Sequence, residues 1–202
     1  KLIGLNNLVD GDTEFIPLIS PEDEDRMNLE EVPEKLPILP LRNNVLFPGV
    51  VIPITLGRDK SIKLIQDAYK GNKIIGVVSQ KDSSIEEPTY KDLYDIGSVA
   101  QIVKMLKMPD GTSTIIIQGK KRLKLEEEIS NEPYLIAKIK EFDEKRLKNI
   151  SKESVALFDS LKDMALNIIK NSPNIPSEAS FAVKNIESPN FLVNFISSHM
   201  NA

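Results

Sequence analysis

The 202-residue chain has no cysteine, no tryptophan, one histidine and only 5% aromatic side chains. Without thiols there is neither a disulfide framework nor a thiolate metal site, a usage that fits a reducing compartment, and the expected location is cytoplasmic. One histidine, His199, excludes an HExxH zinc site and any histidine cluster. It falls near the end of an amphipathic stretch, where it reads as complementing a helix C-terminus. No apolar run approaches the roughly 18 residues of a membrane span, and no membrane partner is expected. The start lacks the charged, apolar, small-residue succession of a signal peptide, and a chain opening on Lys1 is expected to have its true start upstream.

Chemical motifs are missing as well. A phosphate-cradling loop needs GxxxxGK[ST], which neither Gly71 to Gly76 nor Gly119-Lys120-Lys121 satisfies. No serine sits in a Gly-flanked elbow, and the neighbours Lys60-Ser61 and Ser151-Lys152 cannot face each other on a helix, so no serine has an activating base. Glu126 to Glu128 read as a strand edge rather than an acid/base pair. The segment is therefore expected to hold no catalytic residue, metal or cofactor. A net charge of −4 leaves no overall field to hold a polyanion. The basic group Lys120, Lys121, Arg122 and Lys124 runs straight into Glu126, Glu127 and Glu128. Tyr90, Tyr94 and Tyr134 are not interleaved with it as a base-stacking platform would require, so nucleic acid is the less favoured partner.

What is present is a globular composition, 41% hydrophobic and 28% charged. Residues 1–35, with the acidic run Glu22 to Asp25 and Glu30, Glu31 and Glu34 among prolines, read as a flexible or loosely docked acidic arm. Residues 36–143 read as β-rich. Leu36 to Leu41 and Val50 to Leu56 carry Pro37, Pro40 and Pro53, which points to edge or rim strands because proline offers no N–H to a ladder. Arg42-Asn43-Asn44 and Phe47-Pro48-Gly49 form the corner between them. The spacing of Ile62, Leu64, Ile65, Ala68 and Tyr69 predicts a helix over Arg58 to Tyr69, ended by Gly71-Asn72. Lys73 to Ser79 reads as a buried strand, and a close backbone approach is expected at Gly97. Val99 to Lys107 and Thr112 to Gln118 pair across Met108-Pro109-Asp110-Gly111, and Arg122 to Ile129 and Leu135 to Phe142 are two further strands.

Residues 144–202 read as a helical subdomain. Val155, Leu157, Phe158, Leu161, Met164, Ala165, Ile168 and Ile169 fall on one long amphipathic helix from Lys152. A second helix covers Glu178 to Ile186. A third starts at Ser188-Pro189, an N-cap followed by proline at the first helical position. The chain stops at Ala202 close to a helix end, as an excised segment would.

The stretch Leu36 to Ser61, LPILPLRNNVLFPGVVIPITLGRDKS, closely resembles the opening of the Lon N-terminal substrate-binding domain: a proline-flanked PLR, a hydrophobic run closed by FP, a VIPL-type run, then GR-x-KS. The resemblance continues in order through IIGVVSQ from Ile74, DLYDIGSV from Asp92, MLKMPDGT from Met105, IIIQG from Ile115, and Asn171 to Glu178 with Glu187-Ser188-Pro189. It departs in the length of the acidic arm and at Asn43-Asn44, where many members have an acidic and a small apolar residue. It implies an α+β fold, a PUA-like β pseudo-barrel with one inserted helix followed by a small α-helical bundle. It further implies that the segment binds unfolded or degron-bearing proteins for a parent ATP-dependent serine endopeptidase. That parent would carry AAA+ ATPase and Ser-Lys protease domains, use ATP and Mg, work as a homohexamer and serve protein quality control. Candidate substrate contacts are Met105, Leu106 and Met108 at the hairpin tip, Leu46 and Phe47 in the corner, and Asp59, Lys60 and Lys63 on the first helix; each is also open to a plain reading as core or solvated face. Two other readings stand beside this one: a PUA-like RNA- or DNA-binding module, and a stand-alone protein made of this domain.

Overall fold

The computed structural model describes residues 18–107, 112–142, 151–172, 175 and 178–199. In chain order these are α1 (Pro21–Leu29), β1 (Lys35–Leu41), β2 (Val51–Leu56), α2 (Asp59–Lys70), β3 (Ile74–Ser79), a 3-10 turn at Tyr90–Asp92, β4 (Ile96–Lys107), β5 (Ser113–Ser130), β6 (Ile136–Glu141), α3 (Lys152–Asn171), α4 (Glu178–Asn185) and α5 (Pro189–Ser198). The strands form one sheet in the order β2-β5-β4-β3-β1-β6, and β5 also pairs with β6, so five strands close into a barrel with β2 left outside the ring. This is the barrel, inserted helix and helical subdomain expected from the sequence.

Closure depends on the length of β5. Its first part, Ser113 to Gln118, pairs with β2, and its second, Leu123 to Ser130, pairs with β6. Register shifts at Val99/Ala100, Ile102/Lys104, Leu125/Glu127 and Glu128/Ser130 bend the ribbon enough to close it. The sequence suggested two strands here, interrupted at Gly119; the structure has one. Gly119 is not a break but a contact point: its N–H donates to the Val50 carbonyl (2.9 Å), its carbonyl accepts from Gly49 N–H (2.8 Å), and the Phe47 carbonyl lies where a side chain would project.

The prolines also act differently from expectation in β1. β2 is an edge strand, as Pro53 suggested, but β1 has neighbours on both sides. It divides them along its length: Lys35 to Pro37 pair with β6, and Ile38 to Leu41 run parallel to β3. Ile38 N–H points toward the β6 side, where it donates to the Leu135 carbonyl (2.8 Å). Pro40, two residues on, faces the same way past the end of β6, where no donor is required. A strand that exchanges partners midway thus carries two prolines without losing a ladder bond.

Two apolar clusters fill the barrel. One, with Leu39, Leu41, Ile75, Ile102, Ile115 and Ile117, is covered by Leu64 and Ile65 of α2. The other gathers Leu36, Ile38, Val99, Leu123 and Ile139. Gly97 lies against the backbone of Val77 as expected. A third cluster joins the helical subdomain to the barrel: Phe191, Leu192 and Phe195 of α5, Ala182, Val183 and Ile186 near α4, Ala165 of α3, and Val50 from the corner. Asn194, buried on α5, accepts from Arg122 Nη2 (2.8 Å) and donates to the Pro48 carbonyl (3.1 Å), fixing the angle of that junction.

Part of the acidic arm belongs to this third cluster: of its two readings, flexible or docked, residues 18–35 take the docked one. Ser20 caps α1 by accepting from Asp23 N–H (3.1 Å), Pro21 occupies its start, and Glu22, Asp23 and Glu24 meet the positive end of the helix dipole. Ile19 and Met27 are buried against Phe191 and its neighbours. Glu24 accepts from Ser188 Oγ and from Asn190 Nδ2 (3.3 Å), and Glu30 pairs with Lys120 (3.3 Å). Residues 1–17 of the arm lie outside the described residues. Replacing Glu24 with Ala is expected to cost about 1.5–3 kcal/mol, the range of a hydrogen bond to a charged acceptor. Hydrogen exchange should speed up first in α1 and the start of α5; unchanged protection in α1 would show that Glu24 does not hold it.

Candidate functional site

Six of the fourteen exposed large apolar side chains among the described residues lie on the helical subdomain, four of them on α3. At 100° per residue, Leu157, Met164 and Ile168 of α3 form one line about a quarter turn away from Phe158, Ala165 and Ile169, which face the core; Leu161, on the same line, is half-buried and packs against that core. Leu157 is 71% exposed, Met164 57% and Ile168 61%. Ser151 starts this helix by accepting from Ser154 N–H (3.1 Å). On one side of the line a cleft of about 540 Å³ opens between α3, α1 and α5. Val155, Leu157, Phe158, Leu161 and Val193 give it an apolar lining, with Glu24, Asp25 and Glu187 among the polar groups around it. Nearby, Phe181 of α4 is 68% exposed. The arrangement offers adaptable aliphatic and thioether surface bordered by negative charge, suited to holding an apolar segment without a fixed shape.

The residues singled out from the sequence fall elsewhere. Met105, at the end of β4, is exposed and Leu106 is half-buried; Met108 lies outside the described residues. Leu46 is closed inside the barrel, 4% exposed, and presents no surface, because the corner turns it under β4, where its carbonyl accepts from buried Ser98 (2.6 Å). Phe47 is half-buried against the third cluster. Asp59 is exposed at the first turn of α2. Lys60 is held by Glu132 (2.8 Å) and the Asn131 carbonyl (3.2 Å), and Lys63 by Asp67 (3.0 Å). The Lys63 bond holds the Asp67 carboxyl below the usual carboxylate range. The register of β2, β5 and β4 sets Leu56, Ser113 and Lys107 side by side, so the ends of the hairpin strands and the start of α2 are neighbours. The Leu46-Phe47 corner lies apart from them.

Three of the four basic residues from Lys120 to Lys124 are used internally, while Lys124 is exposed. Lys120 pairs with Glu30, Lys121 with Glu141 (3.2 Å), and Arg122 bonds Asn194, so these cations tie the arm and α5 to the barrel rather than presenting an open stripe to a polyanion. His199 closes α5 with its ring 4.6 Å from that of Phe195. Among the described residues no group of three or more His, Cys, Asp or Glu could hold a metal ion, and no helix is long and apolar enough to cross a membrane.

The ATP-dependent protease La (LON) substrate-binding domain matches residues 35–202. The chain is 58% identical over 205 residues to a Lon protease of Flavobacterium johnsoniae, covering all of this chain and 25% of that protein. It is 50% identical over 189 residues to a Lon protease of Cytophaga hutchinsonii, covering 94% of this chain and 23% of that one. The chain thus spans about a quarter of the length of the curated relatives it matches. Among solved structures, the N terminal domain of Mycobacterium avium complex Lon protease is similar with a TM-score of 0.64 at 20% identity, over 82% of each chain. The Lon N-terminal domain protein from Xanthomonas campestris gives 0.53 at 16% identity, over 82% of this chain and 98% of that one. At such identities the likeness is one of fold.

Proposed function

Because this chain belongs to the Lon substrate-binding domain family, we propose that it captures unfolded polypeptides on the exposed apolar line of α3 and the cleft beside it. The observation that carries this reading is the run Leu157, Met164 and Ile168, three large side chains aligned on one helix and more than half exposed. Leaving them in water forgoes roughly 1.5–3 kcal/mol apiece, a penalty an unfolded client with its own exposed apolar groups would relieve on contact. The acidic groups beside the cleft favour client segments with basic residues next to apolar ones.

The parent protein is read as an ATP-dependent serine endopeptidase of the cytoplasm that uses ATP and Mg in domains other than this one and degrades what this domain holds. Assembled as a homohexamer, it would present each weak site in six copies, and effective concentration would supply avidity that one domain lacks. This family membership, and the internal partners of Lys120, Lys121 and Arg122, favour protein capture over the nucleic-acid reading.

The test is binding of reduced, carboxymethylated lactalbumin to the chain and to a Leu157→Glu/Met164→Glu/Ile168→Glu variant. These positions face water, so folding should be unchanged, and affinity is expected to fall at least about tenfold. Wild-type binding should persist between low and moderate salt, whereas phosphate recognition would weaken steeply over that range. Unchanged affinity in the triple variant, with crosslinks at Met105 or on α2 instead, would move the site to the candidates read from the sequence.

A further inference from the structure

The barrel is closed at one end only. There β5 meets β6; at the other end the sheet stops at β2, and β1 has left β6 behind after Pro37. The outer edge of β2, from Pro53 to Gly57, and the free side of β1 at Pro40 and Leu41 therefore line a common cleft of about 560 Å³. Val50 carbonyl is taken by Gly119 N–H, so by strand alternation residues 51, 53 and 55 turn their main-chain groups outward. Pro53 has no N–H, which leaves outward carbonyls and the N–H of Thr55.

Two arginines stand in this seam, Arg42 just past β1 and Arg58 just before α2. Both are steadied by neutral acceptors. Arg58 donates to the Pro40 carbonyl (3.4 Å) and to Gln80 Oε1; Arg42 donates to the Ile85 carbonyl (3.2 Å). Gln80 is itself buried, with its amide bound to the carbonyls of Asp82 (3.2 Å) and Ile85 (3.0 Å), so the Arg58 guanidinium is held in one orientation. Among the described residues neither guanidinium is within ion-pair distance of a carboxylate. Burial, followed by the charge of Arg42, pushes the Arg58 pKa down, and Glu87 and Glu86 in the same cleft partly offset this. Neither guanidinium is bonded to a carboxylate although Asp59, Glu86 and Glu87 line the same cleft, so each keeps donors open to a single carboxylate placed between them.

We propose that this seam binds an extended polypeptide segment through one carboxylate, clasped by Arg42 and Arg58. The inference rests on the polypeptide-capture reading above and adds a second, polar contact to it. Guanidinium groups receive a carboxylate in a planar fork. A phosphate polymer fits poorly, because Asp59, Glu86 and Glu87 line the same cleft and repel a ligand with many negative charges. An extended backbone finds acceptors on the outer edge of β2, and basic residues elsewhere in the segment meet Glu86 and Glu87.

The test uses the whole chain and a fluorescein-labelled unstructured dodecapeptide with one glutamate and a free C-terminal carboxylate, followed by anisotropy. A twin with Gln for Glu and a C-terminal amide is expected to bind at least tenfold more weakly, and the two single changes tell which carboxylate is used. Arg42→Gln, at an exposed position, should weaken the parent peptide by a similar factor and leave the neutral twin unaffected, a difference that a purely structural role would not produce. Arg58→Lys should weaken it too while keeping the charge. Equal binding of parent and twin, no effect of Arg42→Gln on the parent, displacement by millimolar inorganic phosphate, or no peptide binding would each overturn the proposal. Lactalbumin capture by the α3 line is read separately: if it persists while the peptide arms fail, only this inference is lost.

Discussion

Gly119→Ala is expected to destabilise the chain by about 3–5 kcal/mol, the sum of overpacking against backbone and the loss of two hydrogen bonds. The new methyl group would fall on the Phe47 carbonyl, with the Phe47 carbonyl carbon 2.9 Å away and Leu46 Cγ at 3.3 Å. Main chain cannot rotate aside as the end of a side chain can. Separating the two segments would stretch the bonds from Gly49 N–H to Gly119 and from Gly119 N–H to Val50, at 2.8 and 2.9 Å. Those bonds hold the corner to the middle of β5, the strand on which barrel closure depends. Urea denaturation followed by circular dichroism measures the loss; a change below about 1 kcal/mol would show that the corner yields easily.

The second large effect is expected at Phe191. Truncation to alanine should cost about 3–5 kcal/mol, as for other buried aromatic residues. Phe191 stands at the centre of the third cluster and touches Gly49, which holds a positive φ of 83°. A Cβ at Gly49 would lie 2.8 Å from the Phe191 ring, so the ring fits only because the corner has glycine there. The barrel retains two apolar clusters of its own, so the loss should be local. In native-state hydrogen exchange α1, α4 and α5 should lose protection while β4 and β5 keep theirs. Equal loss throughout would show barrel and helices to be one cooperative unit.

The elements that were plain in the amino-acid order share a cause. The apolar period of α2 and α3, the Ser188-Pro189 start of α5 and the paired ends Leu106-Lys107 and Ser113-Thr114 of the β4–β5 hairpin are each set by contacts within a few residues, so spacing and capping chemistry report them. α1 was hidden because its acidic residues outnumber the two side chains, Ile19 and Met27, that anchor it. The amphipathic pattern of α3 was visible, but not that its apolar arc is broader than the core beneath it. Leu157, Met164 and Ile168 count as core by period and face water in the structure. A 4-3-4 spacing beside the 158, 165, 169 set was the available signal.

Local order along the chain settles most of the strands and helices, α1 and the unbroken β5 excepted, where caps and turns fall, and that the segment resembles the Lon N-terminal domain, because those properties depend on side chains near one another in sequence. Folding in three dimensions settles the rest: β5 as one strand serving three partners, β1 changing partners at its prolines, Leu46 turned inward, the α3 line left uncovered, and Arg42 beside Arg58 in an open seam. Each of these depends on groups distant in the chain meeting in space. Period and propensity carry no information about which partner arrives, or where a partner is lacking.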